Sequence, residues 1–484
     1  MPTTPTTMQD SDTIVAIATA PGRGGVGVVR LSGPAAIDIA CKLTDRAELP
    51  ARLANYTKFR DGSGNVLDTG LVIAFPGPAS FTGEDVVELQ GHGSPVMLDA
   101  LVRAALAAGA RMARPGEFSE RAYLNGKLDL AQAEAVADLI NAASEAAAKA
   151  AVRSLQGEFS NLMNGLSETL VRLRVQVEAA IDFPDEDIEL LAAPGVSAML
   201  TDLIGQVEAI RARTRSGVRL TEGARLVLFG APNVGKSSVL NSLCGEARAI
   251  VTDIAGTTRD LVREQLLLDG IPVELVDTAG LRATDDAIEA EGVRRAQDAA
   301  AGADLILGVY DCTDPATHSY LLERLGRIKT ERSVGFPDTS LAPVVIIANK
   351  IDLRESPKTK QLESKQALTY SISAKTGQGI PQLTTALVEL LTGYIDKSGN
   401  IDSKESVDTT TREQTYSARS RHLLALDAAA QGLTDAQHSI AEGVGAELVA
   451  EHLRHAQAEL GSVCGEITTD ALLGEIFSNF CIGK

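Results

Sequence analysis

Four short loop strings, each set behind an apolar run of strand length, constrain residues 225–375 more tightly than any other feature of this 484-residue chain. The runs Arg225–Phe229, Val273–Val276, Leu305–Tyr310 and Val344–Ala348 alternate with helix-prone stretches. That alternation implies βα units around a mainly parallel sheet. Gly230-Ala-Pro-Asn-Val-Gly-Lys-Ser237 follows the first run and precedes a helical stretch, the context a phosphate loop of the form G-x-x-x-x-G-K-[ST] requires. Its glycines let the backbone N–H groups of Asn233, Val234, Gly235, Lys236, Ser237 and Ser238 turn toward phosphates at a helix N-terminus. Lys236 is placed to neutralise the β- and γ-phosphates, and the Ser237 hydroxyl to ligate Mg2+.

Asp277-Thr278-Ala279-Gly280 follows the second run, with Asp277 in the position of a magnesium-side carboxylate and Gly280 free to approach the γ-phosphate. Asn349-Lys350-Ile351-Asp352 follows the last run. A carboxylate at Asp352 accepts from the ring N–H and the exocyclic amine of guanine, a donor pair adenine lacks, so the base it selects is guanine. Ser373-Ala374-Lys375 closes another short strand. The nucleotide expected is GTP.

The flanks differ from this α/β stretch. Residues 1–125 are glycine-rich and mixed in pattern and are expected to form an α+β domain. Residues 126–220 are alanine-rich and helical in period, as in Leu166, Leu170, Leu173 and Val177, with one helix over about 196–217. Residues 391–484 return to helix after a polar stretch, 397–416, read as an exposed linker. The expected architecture is therefore multidomain α/β and α: an N-terminal α+β domain, a split helical domain, and a P-loop domain inserted over 221–390.

Charge and cysteines bound the chemistry further. A formal charge of −19 argues against a broad electrostatic grip on nucleic acid, leaving local basic patches for any RNA contact. Arg211, Arg215 and Arg219 share one helix face, readable either as a tRNA phosphate contact or as a basic helix end complementing the dipole. Five scattered cysteines without a C-x-x-C pair fit a reducing compartment. With no signal-like start and no apolar run of spanning length, a cytoplasmic protein away from the membrane is the expectation.

The order and strand context of the four strings resemble those of Ras-like G domains. Such proteins usually place glutamine after the D-x-x-G element to orient the attacking water; here that residue is Leu281. Asn233, together with Thr252-Asp253-Ile254-Ala255-Gly256-Thr257-Thr258, resembles the potassium-activated G proteins. That resemblance implies a K+ site built from the Asn233 side chain and backbone carbonyls of Thr252, Ile254 and Thr257, with Thr258 contacting Mg2+. A cation there would stabilise developing charge as an arginine finger does. Glu289 is a candidate to position water through an intermediary; read alone it is a solvated helix residue.

Pro21-Gly-Arg-Gly-Gly-Val-Gly27, Phe81-Thr-Gly-Glu-Asp85, Arg114-Pro-Gly-Glu-Phe-Ser-Glu-Arg121, Asn125-Gly-Lys-Leu-Asp-Leu130 and the terminal Phe480-Cys-Ile-Gly-Lys484 extend the resemblance across the chain, to the MnmE (TrmE) family. His92-Gly-Ser94 and Ala231 depart from the family pattern, and Arg327–Leu341 and 397–416 look like insertions. The resemblance implies a homodimer working with the flavoprotein MnmG, in a heterotetramer or larger complex. Together they would modify carbon 5 of the tRNA wobble uridine with a one-carbon folate such as 5-formyltetrahydrofolate. By position it implies folate contacts at Arg30, Glu88, Lys127 and Lys484, and a chemical role at Cys481. Each of these, read alone, is a surface ion pair or an inert thiol. Two other readings share the G-domain strings: a regulatory switch without modification chemistry, and a folate-dependent transferase whose G domain is vestigial.

Overall fold

The computed structural model describes residues 12–182, 194–246, 248–249, 263–277, 303–332, 342–354, 368–392, 415–466 and 469–483. Among them no helix is long and apolar enough to cross a membrane. The chain divides into two compact units: Met1–Ala137 with Leu155–Ser167 and Ala458–Lys484, and Asp138–Ser154 with Glu168–Gln457.

The first unit carries β1 (Ile14–Ile17), β2 (Gly24–Ser32), α1 (Ala36–Thr44), β3 (Asn55–Arg60), β4 (Val66–Phe75), β5 (Val86–Gly93), α2 (Pro95–Ala107), β6 (Arg111–Met112) and α3 (Glu117–Leu124). Its six-stranded sheet runs β3-β4-β5-β2-β1-β6 and is antiparallel except where β6 joins β1. Ala36, Ile39, Ala40 and Leu43 form one buried stripe of α1, and Leu98, Leu101, Val102 and Ala105 one of α2. Both stripes join a core with Val29, Leu31, Phe59, Val72 and Leu89, alternate residues of β2 to β5. This α+β arrangement matches the expectation.

The C-terminal segment belongs to the same unit. α4 (Leu130–Asn141) supplies Leu130, Ala133 and Ala137 to a cluster with Ile476, Phe477 and Phe480. Ile482 makes an isolated antiparallel bridge with Pro115. Gly116 takes φ +67°, and a Cβ there would stand 2.6 Å from the Phe477 carbonyl oxygen, so the turn before α3 demands glycine.

The second unit contains the larger part of the helical segments and the inserted domain. The helical run expected after Asp129 is broken twice, giving α5 (Glu145–Leu155) and α6 (Glu158–Asp182) after α4. Ser144 Oγ accepts from the Ala147 N–H at 3.1 Å and starts α5; Gly157, at φ +87°, separates α5 from α6. α7 (Pro194–Thr221) is longer than the expected 196–217 and buries Leu200, Leu203, Val207 and Ile210. It packs along α11 (Ser420–Ala441), whose buried face includes Ala425, Ala429, Ala430 and Ala436.

Between them lie β7 (Ala224–Phe229), α8 (Lys236–Glu246), β8 (Arg248–Ala249), β9 (Arg263–Leu268), β10 (Ile271–Asp277), β11 (Leu305–Asp311), α9 (Pro315–Arg332), β12 (Val344–Asn349), β13 (Leu368–Ser371) and α10 (Ile380–Thr392). The seven-stranded sheet runs β13-β12-β11-β7-β10-β9-β8, parallel through β13 to β10 and antiparallel at β9 and β8. The near-continuous apolar strands are buried by helices, as a parallel core requires. α12 (Ala446–Cys464) and α13 (Asp470–Ser478) complete the described helices.

Two expectations change. The linker read over 397–416 does not reach its far end, because Tyr416 is fully buried, with its hydroxyl 3.0 Å from Thr214 Oγ1 and its ring under Arg213. The arginine stripe is also largely occupied: Arg211 pairs with Glu208 at 2.9 Å and Asp427 at 3.3 Å, and Arg219 donates to the carbonyls of Leu390 and Leu391. Arg219 thus complements the C-terminal carbonyls of α10, not those of its own helix. Arg215 is exposed.

Gly116→Ala should destabilise the first unit by about 1–3 kcal/mol, the cost of a strained non-glycine backbone, read as a lower melting temperature. Unchanged melting would mean that the C-terminal segment is not seated on this turn.

Candidate functional site

The phosphate-loop string occupies the turn between β7 and α8. Gly235 takes φ +94° and brings its Cα against the Asn349 amide, leaving no room for a side chain. Asn233 is also left-handed, at φ +63°, a conformation asparagine tolerates better than most residues. Lys236 is buried, with Nζ donating to the carbonyls of Gly230 and Ala231 at 2.8 Å each. Val234 is buried under the loop, while Lys236, Ser237 and Ser238 open α8, whose first N–H groups lack helical acceptors.

Asn349, buried at the end of β12, joins three of the strings. Its Nδ2 donates to the Val234 carbonyl at 3.0 Å, and its Oδ1 accepts from the Ala374 N–H at 3.1 Å. Both hydrogen-bonding ends of the amide are therefore spent on tying loops together. Asp352 lies in a single turn of 3-10 helix, exposed, and one of its oxygens accepts from Ser373 Oγ at 2.6 Å. Ser373 is buried, and its hydroxyl also accepts from the Thr376 N–H. Ala374 is pinned again through its carbonyl, which accepts from Ser242 Oγ of α8 at 2.6 Å.

Lys350 takes φ +68°, and its Nζ donates to the Asn233 carbonyl at 2.9 Å and to Asp311 Oδ2 at 2.6 Å. Sequence reasoning missed Asp311. The available signal was an aspartate at the C-terminal end of the parallel strand beside the Asn-Lys-Ile-Asp strand, where open α/β sheets place their ligand sites. Burial by itself would raise the Asp311 carboxyl, but the hydrogen bonds from Lys350 and Thr313 prevail and hold it below the usual aspartate range.

Asp277 is the last residue of β10, in register with Leu228 of β7, so its backbone lies beside the strand that feeds the phosphate loop. Its side chain lies outside the described residues, as do Thr252, Asp253, Ile254, Ala255, Gly256, Thr257, Thr258, Thr278, Ala279, Gly280, Glu289 and Lys484.

In the first unit, β2 and β5 place Arg30 directly opposite Glu88. Arg30 donates through Nη2 at 2.9 Å and Nε at 3.2 Å to Glu88 Oε1, while Gln90 Nε2 donates to Glu88 Oε2 at 3.1 Å. The guanidinium also lies within 6 Å of the Phe81 and Phe118 ring centres, at 5.8 and 5.9 Å. Lys127 is exposed, with Nζ donating to the Pro78 carbonyl at 3.1 Å. Cys481 is exposed, and its carbonyl accepts from the Gly116 N–H.

The strings Phe81–Asp85 and Arg114–Arg121 bury charge in the N-terminal domain. Arg121, nearly buried, donates to Asp12 Oδ1 at 2.8 Å, to Glu84 Oε2 at 3.1 Å and to Glu117 Oε1 at 3.1 Å. Glu117, fully buried, accepts also from Arg111 Nη1 at 2.8 Å and from the Arg114 N–H at 2.7 Å. Ser32 Oγ donates to Glu84 Oε2 and lies 2.7 Å from Thr82 Oγ1. These buried charges are compensated from several sides, as they must be.

A parallel sheet with a glycine-rich phosphate loop on a central strand, and a buried asparagine binding that loop from the next strand's end, defines a P-loop GTP-binding protein with a Ras-like G domain. Comparison with known proteins carries this further. The MnmE helical domain family matches residues 130–481, and the family described as GTP-binding protein TrmE N-terminus matches residues 13–127. A tRNA modification GTPase MnmE of Legionella pneumophila is 48% identical over 473 residues, covering 98% of this chain and 99% of that protein. Its counterpart in Pseudomonas aeruginosa is 48% identical over 477 residues, with coverage of 98% and 99%. The one in Mannheimia succiniciproducens is 47% identical over 479 residues, covering 99% and 100%. Among solved structures, the G domain of the T. maritima FeoB iron transporter aligns with 34% of this chain and 98% of its own at 24% identity and a TM-score of 0.25. The chain belongs to the MnmE family.

The ion-pair cluster has a pH consequence. Burial would raise Glu117, but the bonds from Arg111, the Arg114 N–H and Arg121 outweigh it and hold the carboxyl low; Asp12 is lowered likewise by Arg111 and Arg121 against its burial. A folded pKa below the unfolded one contributes stability that is present above the ordinary carboxylate range and lost as pH falls through the folded value. Melting temperature should therefore drop below about pH 4. In Glu117→Gln that acid limb should be shallower, and an unchanged limb would remove this group from the account.

Proposed function

We propose that the chain is a GTP hydrolase acting in tRNA modification, with guanine nucleotide held by the loops that Asn349 joins. The observation that carries this reading is the Asn349 amide, which bonds the phosphate loop at Val234 and the Ser373-Ala374 turn at once. Phosphates and base would thereby be held by one rigid frame, which is what productive orientation requires.

The residues fit a nucleoside triphosphate. Lys236 holds its ammonium on two loop carbonyls, a partnership that phosphate oxygens can supplement or replace. The first N–H groups of α8 supply donors to the same phosphates. Asp352 presents an exposed carboxylate, fixed by Ser373, to the ring N–H and amine of guanine. Mg2+ would be held by Ser237 and Thr258, and would neutralise charge between the β- and γ-phosphates. For K+, Asn233 supplies the side-chain oxygen, and the backbone carbonyls of Thr252, Ile254 and Thr257 the remainder. With Leu281 in place of the usual glutamine, a cation held there would supply stabilisation of the developing charge, and Glu289 would orient water through an intermediary.

The finer reading covers a homodimer and the flavoprotein MnmG. With them the chain would add an aminomethyl-type group at carbon 5 of the tRNA wobble uridine from a one-carbon folate such as 5-formyltetrahydrofolate, with Cys481 and Lys484 serving that chemistry and cytoplasm as its compartment. For the folate, Arg30 and Glu88 satisfy each other and offer a neutral donor–acceptor pair suited to a pterin edge. Arg30 does not offer the uncompensated cation a glutamate tail needs. Lys127, exposed and with its ammonium donating to the neutral Pro78 carbonyl, is the better ligand for that tail.

Two measurements test the hydrolase reading. Turnover of GTP should be several-fold faster in potassium chloride than in sodium chloride at equal ionic strength; equal rates would remove the cation assignment. Asp352→Asn should shift preference from GTP toward xanthosine triphosphate by reversing the partner of the base's C2 substituent. Unchanged GTP affinity in that variant would overturn guanine reading by Asp352.

A further inference from the structure

The lysine of the guanine-site string is anchored in a way that its own motif does not account for. Lys350 stands between Asn349, which binds the phosphate loop, and Asp352, at the guanine end of the site. Its left-handed backbone turns the side chain back along the site, and its Nζ reaches the Asn233 carbonyl in the phosphate loop at 2.9 Å. The four-carbon stem therefore runs from the base end of the site to its phosphate end. An extended apolar stem of that kind suits the face of a purine, with the charged head kept beyond it.

A lysine ammonium has three donors on a flexible stem, and one carbonyl does not fix it. Asp311 supplies the rest. It ends β11 opposite Asn349 of β12, and its two oxygens divide their work. Oδ1 accepts from the Thr313 N–H at 2.9 Å and from Thr313 Oγ1 at 2.6 Å, which sets the carboxylate plane. Oδ2 accepts from Lys350 Nζ at 2.6 Å. The backbone of Asp311 is itself held, with its N–H donating to Thr317 Oγ1 at 3.1 Å. The neighbouring Cys312 N–H donates to the Asn349 carbonyl at 3.0 Å. Asp311 is mostly shielded from water, with 13% of its side chain exposed against 32% for Lys350, so the pair is screened less than a surface one.

We propose that Asp311 is a positioning residue for the guanine nucleotide: it fixes the Lys350 ammonium so that the lysine stem lies ready against the base. This rests on the nucleotide reading above and adds to it a residue outside the four strings. Because Asp311 acts on the face of the base and not on its hydrogen-bonding edge, it raises affinity for guanine and hypoxanthine nucleotides alike. It acts through the lysine stem on the base, which is bound alike in ground and transition states, and so on KM, not kcat.

The test is a titration of the full-length protein with fluorescently labelled GDP and with IDP as competitor, in the wild type, Asp311→Asn, Lys350→Met and the double variant. Asparagine keeps an acceptor for Thr313 and sets an amide NH2 where Lys350 met a carboxylate oxygen, removing both the charge and the acceptor that face Lys350. Asp311→Asn should raise Kd for GDP about tenfold, raise Kd for IDP by the same factor, and raise the KM for GTP with kcat moving less than twofold. In the Lys350→Met background the same substitution should move Kd less than twofold, since the group it acts through is gone. Asp311→Glu, which restores the charge, should recover most of the affinity; it carries the test if the asparagine variant does not fold. An unchanged Kd, an equal effect with and without the Lys350 ammonium, a changed GDP-to-IDP ratio, or an equal fall in kcat would each overturn the proposal. A wild-type protein that binds no GDP would instead end the nucleotide reading itself.

Discussion

The nucleotide end of this chain depends on one buried amide. Asn349 must be an asparagine because the site needs a donor and an acceptor fixed about one planar group, aimed at two different loops. Aspartate would offer no donor to the Val234 carbonyl, and leucine of similar size would leave a buried carbonyl and a buried N–H without partners, each costing about 1–3 kcal/mol. The phosphate loop's second glycine answers to the same group, since the amide occupies the volume a Cβ on Gly235 would fill. Lys350 and Asp311 then extend the frame from β12 to β11. The loops are ordered relative to each other through side chains whose backbone lies in a parallel sheet, the rigid support a binding site requires.

The first unit solves a different problem, that of burying charge. Its strings are rich in arginine and glutamate, and the structure sets Glu117 at the centre, bonded by Arg111, Arg121 and the Arg114 N–H, with Asp12 and Glu84 on the outer side of Arg121. Removing any one member leaves an uncompensated charge, which is far more costly than never having buried the group. Such a cluster fixes where α3 begins relative to β1 and β6. It therefore also fixes the Gly116 turn on which Phe477 and Phe480 rest. The exposed Cys481 is held in place from the opposite direction, through the bond from Gly116 and the bridge at Ile482.

What the sequence made legible follows from how local each signal is. The phosphate loop, the Asn-Lys-Ile-Asp turn and the βα alternation are short-range patterns, and the structure places Gly235, Lys236, Asn349, Lys350, Asp352 and Ser373 in one neighbourhood. Asp311 carries only the signal of its place at the end of a parallel strand, because a single aspartate there matters only when Lys350, 39 residues later at the end of the next strand, folds beside it. By position in the sequence, Arg30 and Glu88 read as separate ligands. Their mutual bond depends on the register of β2 with β5, and nothing within either string reports that register. Tyr416 was read as linker because polar neighbours surround it, yet a single aromatic side chain suffices to pin the returning chain between helices.

The same non-local logic governs how the inserted domain is held. Its two ends meet at α7: the chain enters β7 just after Thr221, and Arg219, one turn before, reaches the last carbonyls of α10, where the domain ends. Burial pulls the Arg219 guanidinium below its ordinary value, with Asp304 opposing that drop and Arg215 adding to it. An arginine in this position is an interior group that closes the domain at its root. At the same end of the sheet, where Val273 of β10 is in register with Ala224 of β7, the turn between β9 and β10 is anchored as well, since the Gly270 carbonyl accepts from Ser144 Oγ, the residue that starts α5, at 2.6 Å. β9 and β10 flank the stretches that hold Thr258 and Asp277, the residues proposed for the magnesium side of the site. A displacement of that hairpin would reach α5 through Ser144 without passing through the Arg219 joint, so this bond couples the hairpin to the helical domain separately from that joint. The Ser144 bond meets the hairpin at its turn, one strand length from Asp277 at the other end of β10, so β10 itself spans the distance between that bond and the magnesium side proposed for the site.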